Sequence, residues 1–262
     1  MTATSRLRLG LVLCLVSVAM PAPIAAQLGP IASPGQAAQA RSQEEFDSYL
    51  GVVSATDPRA VVQQVKAFVS AFPKSELLGA AYQYQLQAFE QLNDFDGMLA
   101  AGERALAADP DSLNTLLALA PAMATRAAGR SDRAQLLSQA ESYAHRALDG
   151  VNKIRVPHEV SIEQWNVRKR QMQSEAHGVL GVVALQRGQF QTAVSELEMA
   201  ISLTSQPEGV QFLRLGLALA SSGKKEDAEQ KFRRAAELGP DSVRGVALDQ
   251  LKQLTRTQQP TR

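Results

Sequence analysis

The sequence predicts an all-α protein, an α-solenoid of stacked helix–turn–helix units closed by a C-terminal capping helix. Three observations predict it. The stretch from Gly209 to Ser242, GVQFLRLGLALASSGKKEDAEQKFRRAAELGPDS, holds two helical periods separated by Ser221, Ser222 and Gly223. Phe212, Leu215, Gly216 and Leu219 share one face at spacings of three and four, and Ala228, Phe232, Ala235 and Ala236 share a face in the second period. Secondly, Leu180, Gly181, Gly188, Ala193 and Ala200 return thirty-five residues later as Leu215, Gly216, Gly223, Ala228 and Ala235. A fixed period of this length marks stacked units, none of which can bury its apolar face alone. Thirdly, Asp109-Pro110-Asp111-Ser112 echoes Gly239-Pro240-Asp241-Ser242. In each phrase Pro stops one helix and Asp or Ser can cap the next, and Gly239 is expected in the left-handed cap conformation.

The order of residues in the Gly209–Ser242 unit is specific. A large residue (Phe212), Leu215-Gly216, a large residue (Leu219), Gly223 at the turn, Ala228, Phe232, Ala235 and Pro240 resemble a tetratricopeptide repeat (TPR) in identity and spacing. The resemblance implies a solenoid that binds proteins, with the first helix of each pair lining a concave groove. With the N-terminal segment described next, it implies the secreted or periplasmic bacterial type.

Taken in order, the chain opens with Arg6 and Arg8 followed by LGLVLCLVSVAM, an apolar run of twelve. That run is too short to span a bilayer, which needs ~20 residues. A basic start, a short apolar core and a small-residue exit at Ala25-Ala26 read as a signal peptide over 1–26. Leu13 before Cys14 argues against lipidation, which wants a small residue there. Residues 27–42, QLGPIASPGQAAQARS, read as a disordered linker.

The repeat domain is expected over 43–256, in pairs 43–75, 76–111, 112–150, 159–207 and 208–240, with a capping helix over 241–256 and a disordered tail over 257–262. In the first pair, Phe46, Tyr49, Leu50 and Val53 form one face. Asp57-Pro58 opens the second helix with a capping carboxylate and Pro in the first turn. Val61, Val65 and Phe68 line its inner side, and Phe72-Pro73 ends it. In the second pair, Tyr82, Leu86 and Phe89 precede a turn at Asn93-Asp94. Phe95, Met98, Ala105 and Leu106 follow, and Gly102 stands where the family has an aromatic. In the third, Leu116, Leu119, Ala120 and Met123 face inward. Pro121 is expected to kink or break that helix near Leu117, at ~3 kcal/mol if uncompensated. About eight extra residues surround Gly129–Ser131. Ala140, Ala144, Ala147 and Leu148 follow, and Gly150 is expected to end the helix. After a connector at 151–158, a Pro-free pattern runs from Glu159 to Arg187. Its first half is expected to project or to pack back on the third pair. Val243, Ala247, Leu248, Leu251 and Leu254 make the amphipathic cap.

Little chemistry is available to such a chain. The sequence has 27 Lys+Arg and 26 Asp+Glu. Removing 1–26 takes Arg6 and Arg8, leaving 27 − 2 = 25 against 26, a net of −1. That balance gives no electrostatic case for nucleic acid or an anionic membrane. Without Cys14 there is no disulfide, thiol nucleophile or thiolate metal site. His145, His158 and His177 form no ligand-spaced cluster, so neither a metal nor a cofactor is expected. No phosphate loop, nucleophile elbow or HExxH motif occurs, and the chain is not expected to be an enzyme. Arg168-Lys169-Arg170 beside Trp165 could contact RNA with an aromatic platform. The alternative is that Trp165 is core and the cationic stems cover apolar surface.

By the family alignment, the groove is lined by Gln83, Gln87, Asn114, Leu117, Val182, Leu185, Leu213, Arg214 and Leu217. Only Arg214 there could serve a clamp for C-terminal carboxylates. The helix from Val210 to Ala220 is apolar almost all round, which demands burial or a partner. Val182, Leu185, Leu213, Leu217 and Ala220, with Arg214 at the edge, are therefore the expected protein-binding strip. The long helix or the linker could instead cover it. The function expected is a non-enzymatic scaffold of the cell envelope, periplasmic or secreted, that binds a protein segment in its groove. The alternative is an envelope or outer-membrane assembly factor, since Phe72-Pro73-Lys74-Ser75 followed by Tyr82 resembles such repeat proteins.

Overall fold

Capping chemistry sets the helix starts. In the computed structural model, which describes residues 38–154 and 160–256, Ser42 accepts from the Glu45 N–H at 3.1 Å to open α1 (Gln43–Ser54). Asp57 accepts from Ala60 N–H at 2.8 Å to open α2 (Pro58–Ala71). α3 is Leu78–Gln91, and Asp94 caps α4 (Phe95–Ala108) through Gly97 N–H at 2.9 Å. Ser112 opens α5 (Leu113–Arg126), α6 is Arg133–Lys153, and a Ser161/Gln164 capping box opens α7 (Ile162–Gln186). The series closes with α8 (Phe190–Leu203), α9 (Gly209–Ser221), α10 (Lys225–Leu238) and α11 (Asp241–Arg256). Among the described residues there is no strand. The signal peptide 1–26, linker positions 27–37, connector positions 155–158 with Glu159, and the tail 257–262 lie outside the described residues.

Consecutive helices pack as antiparallel hairpins joined by tight turns. At Gly188 and Gly223 the turn needs φ of 75° and 87°, a region open to glycine without steric cost. Asn93 takes the same role with φ 55°. The thirty-five-residue period then shows in the packing. A Cβ on Gly181 would come within 2.6 Å of Leu197, and one on Gly216 within 2.6 Å of Phe232. Gly181 and Gly216 are equivalent positions, as are Leu197 and Phe232, so each hairpin seats a second-helix side chain in a glycine hollow of its first helix.

Three core clusters run along the stack. Val52, Val65, Phe68 and Ala81 centre the N-terminal one. The middle one extends from Leu86 through α4, α5 and α6 to Val183, and the last from Ala184 to Ala247. α3 is thus shared by the first two clusters and α7 by the last two.

Several expectations are corrected. Within residues 38–42, Arg41 pairs with Glu76 at 3.1 Å on the surface and Ala40 packs on the first cluster. On α1, Phe46, Leu50 and Val53 are exposed, while Val52 and Glu45 are buried; among the described residues no helix precedes α1 to cover that stripe. Gly102 lacks its aromatic because Leu119 fills the space, 2.6 Å from where a Cβ would stand. Pro121 does not break α5. Gly150 does not end α6, which continues to Lys153; the glycine is needed because Leu113 lies 2.6 Å from its Cβ position. Gly239 has φ −85° and is not left-handed. Its role is close approach, for a Cβ on Gly209 would meet the Gly239 backbone at 2.4 Å. Of the two alternatives for the first half of α7, packing back on the third pair is the one observed: α7 lies against α6, and Trp165 and Met172 are buried in the middle cluster.

Candidate protein-binding groove

First helices touch one another along the stack: α1 with α3, α5 with α7, α7 with α9, and α9 with α11. No two second helices pack comparably, so the first helices lie on the inner, concave side. Between α3 and α5 the groove floor opens into a hollow lined by Gln83, Leu86, Gln87, Glu90, Asn114 and Thr115. The hollow has about 10 Å³ of room for the centre of a water-sized group, enough for one such group. Gln83 Nε2 donates to Ser112 Oγ at 2.8 Å, bridging the two helices. Ser112 Oγ and Thr115 Oγ1 lie 2.9 Å apart and share a further hydrogen bond. Asn114 is only 9% exposed, and its Oδ1 has no hydrogen-bond partner.

The expected apolar strip is not an open surface. Val182, Leu185 and Leu213 are each at most 8% exposed and belong to the core clusters. Leu217 and Ala220 are half-buried against the C-terminal cluster, and so is Phe212, whose spacing places it wholly inside the repeat. The physical reason is neighbour packing: α9 lies against both α8 and α10, so an all-round apolar helix is satisfied internally. Arg214 is half-buried beside these leucines. Burial pushes its guanidinium pKa down, against the opposing pull of Glu208. Leu117, also aligned to the groove, is core. Gln83 and Gln87 are half-buried at the groove floor.

Two groove groups escape a reading of the sequence. Glu175, half-buried on α7, has its carboxyl pushed up to about 7, first by burial and then by repulsion from Glu90. Glu90 is raised by burial too, with Arg126 pulling the other way. Neither carboxylate has a hydrogen bond or ion pair to a described residue. The signal available is positional, since Glu90 stands three residues beyond Gln87 on the same face. His177, isolated in the sequence, lies with Nδ1 2.7 Å from Glu196 Oε2 on α8. That pairing joins residues nineteen apart and is invisible to local spacing. Trp165 is 4% exposed, so it offers no stacking platform beside Arg168–Arg170. Among the described residues no group of three or more His, Cys, Asp or Glu could hold a metal.

No protein-family model matches the sequence, and no curated protein matches it. Solved structures do. TTC0263, a thermophilic TPR protein of Thermus thermophilus, matches at 18% identity over 78% of this chain and 97% of its own, with a TM-score of 0.50. Acl4, an assembly chaperone of RpL4, matches at 12% identity over 82% and 98% of the two chains, with a TM-score of 0.43. The TPR domain of P58(IPK) matches at 15% identity over 83% and 65%, with a TM-score of 0.28. The helical hairpins and the likeness to the Thermus protein define the fold: this chain is a TPR-like α-solenoid.

Proposed function

We propose that this chain is a non-catalytic scaffold that docks a protein segment in the concave groove of its solenoid, and that it does so in the cell envelope after export. The observation that carries the reading is the groove floor itself. There α3 and α5 face each other across a hollow with Gln83, Gln87, Glu90 and Asn114 in its lining, and Glu175 on α7 is near enough to repel Glu90. A buried acceptor without a partner costs free energy on the order of 1–3 kcal/mol, and a bound segment could supply the missing donor. The envelope location rests on the basic start and short apolar run of residues 1–26. No helix among the described residues is long and apolar enough to cross a membrane.

The test places a photo-crosslinking residue at Gln87 in the groove and, separately, at Glu198 on α8. Envelope fractions should yield a discrete protein adduct from position 87 and none from 198. Equal labelling from both positions would refute groove docking. Recovery of the chain in the cytoplasm with Met1 still present would refute export.

A further inference from the structure

The α3–α5 hollow brings two acceptor groups unpartnered among the described residues, Asn114 Oδ1 and the Glu90 carboxylate, together with the side-chain amides of Gln83 and Gln87. Asn114 Oδ1 is buried without a partner, and Glu90 supplies a carboxylate with no hydrogen bond to a described residue. Gln83 has already given an amide hydrogen to Ser112. Glu175 is near enough to Glu90 for the two carboxylates to repel when both are ionised. Arg126, whose charge is felt at Glu90, is engaged elsewhere: it donates to Asn93 Oδ1 at 2.7 Å and stacks over Phe95 at 5.4 Å. Two carboxylates fall short of a metal's ligand set, and no such set occurs among the described residues. The hollow therefore wants a compact, positively charged group with several donors. An ammonium head has three donors and no acceptor, and it is close to water in size. A guanidinium is a broad planar fork, larger than the single water-sized group that the hollow admits.

We propose that the α3–α5 hollow receives the ε-ammonium group of a lysine carried by the docked segment, held by Asn114 Oδ1 and Glu90 with Glu175 close by. The proposal rests on the groove reading above and names the chemistry of its partner.

The experiment uses the full chain and a randomised array of dodecamer peptides. Lysine should be selected at one fixed position of the bound peptides. Changing that lysine to methionine should weaken binding at least roughly tenfold, the scale of one hydrogen bond to a charged group. Arginine there should not restore it. Glu90→Gln should lose a similar factor, and combining it with the lysine-to-methionine peptide should cost little more. Asn114→Leu, checked for helicity and melting, should behave the same way; if it misfolds, Glu90→Gln carries the test alone. Peptides that bind without a lysine preference would overturn the lysine proposal and leave groove docking standing. Binding of no peptide, or crosslinking from position 87 only to the chain's own termini or to a second copy, would overturn both.

Discussion

Replacing Glu175 by glutamine should change the pH dependence of stability more than stability itself at low pH. The wild-type carboxyl is half-buried on α7, has no hydrogen-bond donor, and feels Glu90. Its folded value of about 7 lies above the ordinary 4.5. The folded chain therefore holds more protons than the unfolded chain between those values, and stability falls as pH rises through that interval. Below pH 4.5 the group contributes no penalty; above pH 7 the penalty is complete. At ~1.4 kcal/mol per tenfold in proton affinity, the displacement amounts to roughly 3 kcal/mol. Urea denaturation at pH 4.5, 6, 7 and 8 measures it, with the neutral amide as reference. Wild type should lose about 3 kcal/mol more than Glu175→Gln across that range. Parallel stability profiles for the two proteins would refute the assignment of Glu175 to a desolvated site next to Glu90.

Other predictions follow from the packing. Phe232 is fully buried in the hollow of Gly216, so Phe232→Ala should cost ~3–5 kcal/mol; a loss under about 1 kcal/mol by chemical denaturation would contradict its core placement. Gly209→Ala would set a Cβ 2.4 Å from the Gly239 backbone, where nothing flexible can yield, and should lower the melting temperature by several degrees at ~1–3 kcal/mol. Leu213→Asp, in a residue only 6% exposed, should cost at least ~3 kcal/mol as an uncompensated buried charge. A well-folded Leu213→Asp variant with impaired partner binding would restore the apolar strip as the docking surface. Asp57→Ala removes the acceptor of Ala60 N–H and should cost about 1 kcal/mol in thermal denaturation.

The fold is legible in the sequence because its determinants are periodic and local. Gly181/Leu197 and Gly216/Phe232 recur at one spacing, and Asp57, Asp94 and Ser112 cap the helices that their sequence positions announce. The strip Val182, Leu185, Leu213, Leu217 and Ala220 is legible as apolar but not as covered, because burial depends on how closely α9 approaches α8 and α10. Gly102 and Gly150 mislead for the same reason: each glycine answers to a leucine, Leu119 or Leu113, brought against it by packing between helices. The Glu90–Glu175 repulsion spans eighty-five residues and three intervening helices. No local pattern encodes it; only the packing of the helices brings the two near each other.

The division of the core within α7 has a mechanical consequence. Val183 closes the middle cluster and Ala184, its next residue, begins the last. The seam between the middle and last core clusters thus falls inside a continuous helix of 25 residues, not in a loop. Loops absorb rotation at small cost through a few φ/ψ angles; a helical ladder does so only by straining or breaking its backbone hydrogen bonds. The middle and C-terminal blocks are therefore joined by a rod and not by a hinge. A tug on the last two hairpins is carried along α7 to Trp165 at its far end, and a change in groove curvature at one block must be registered by the other.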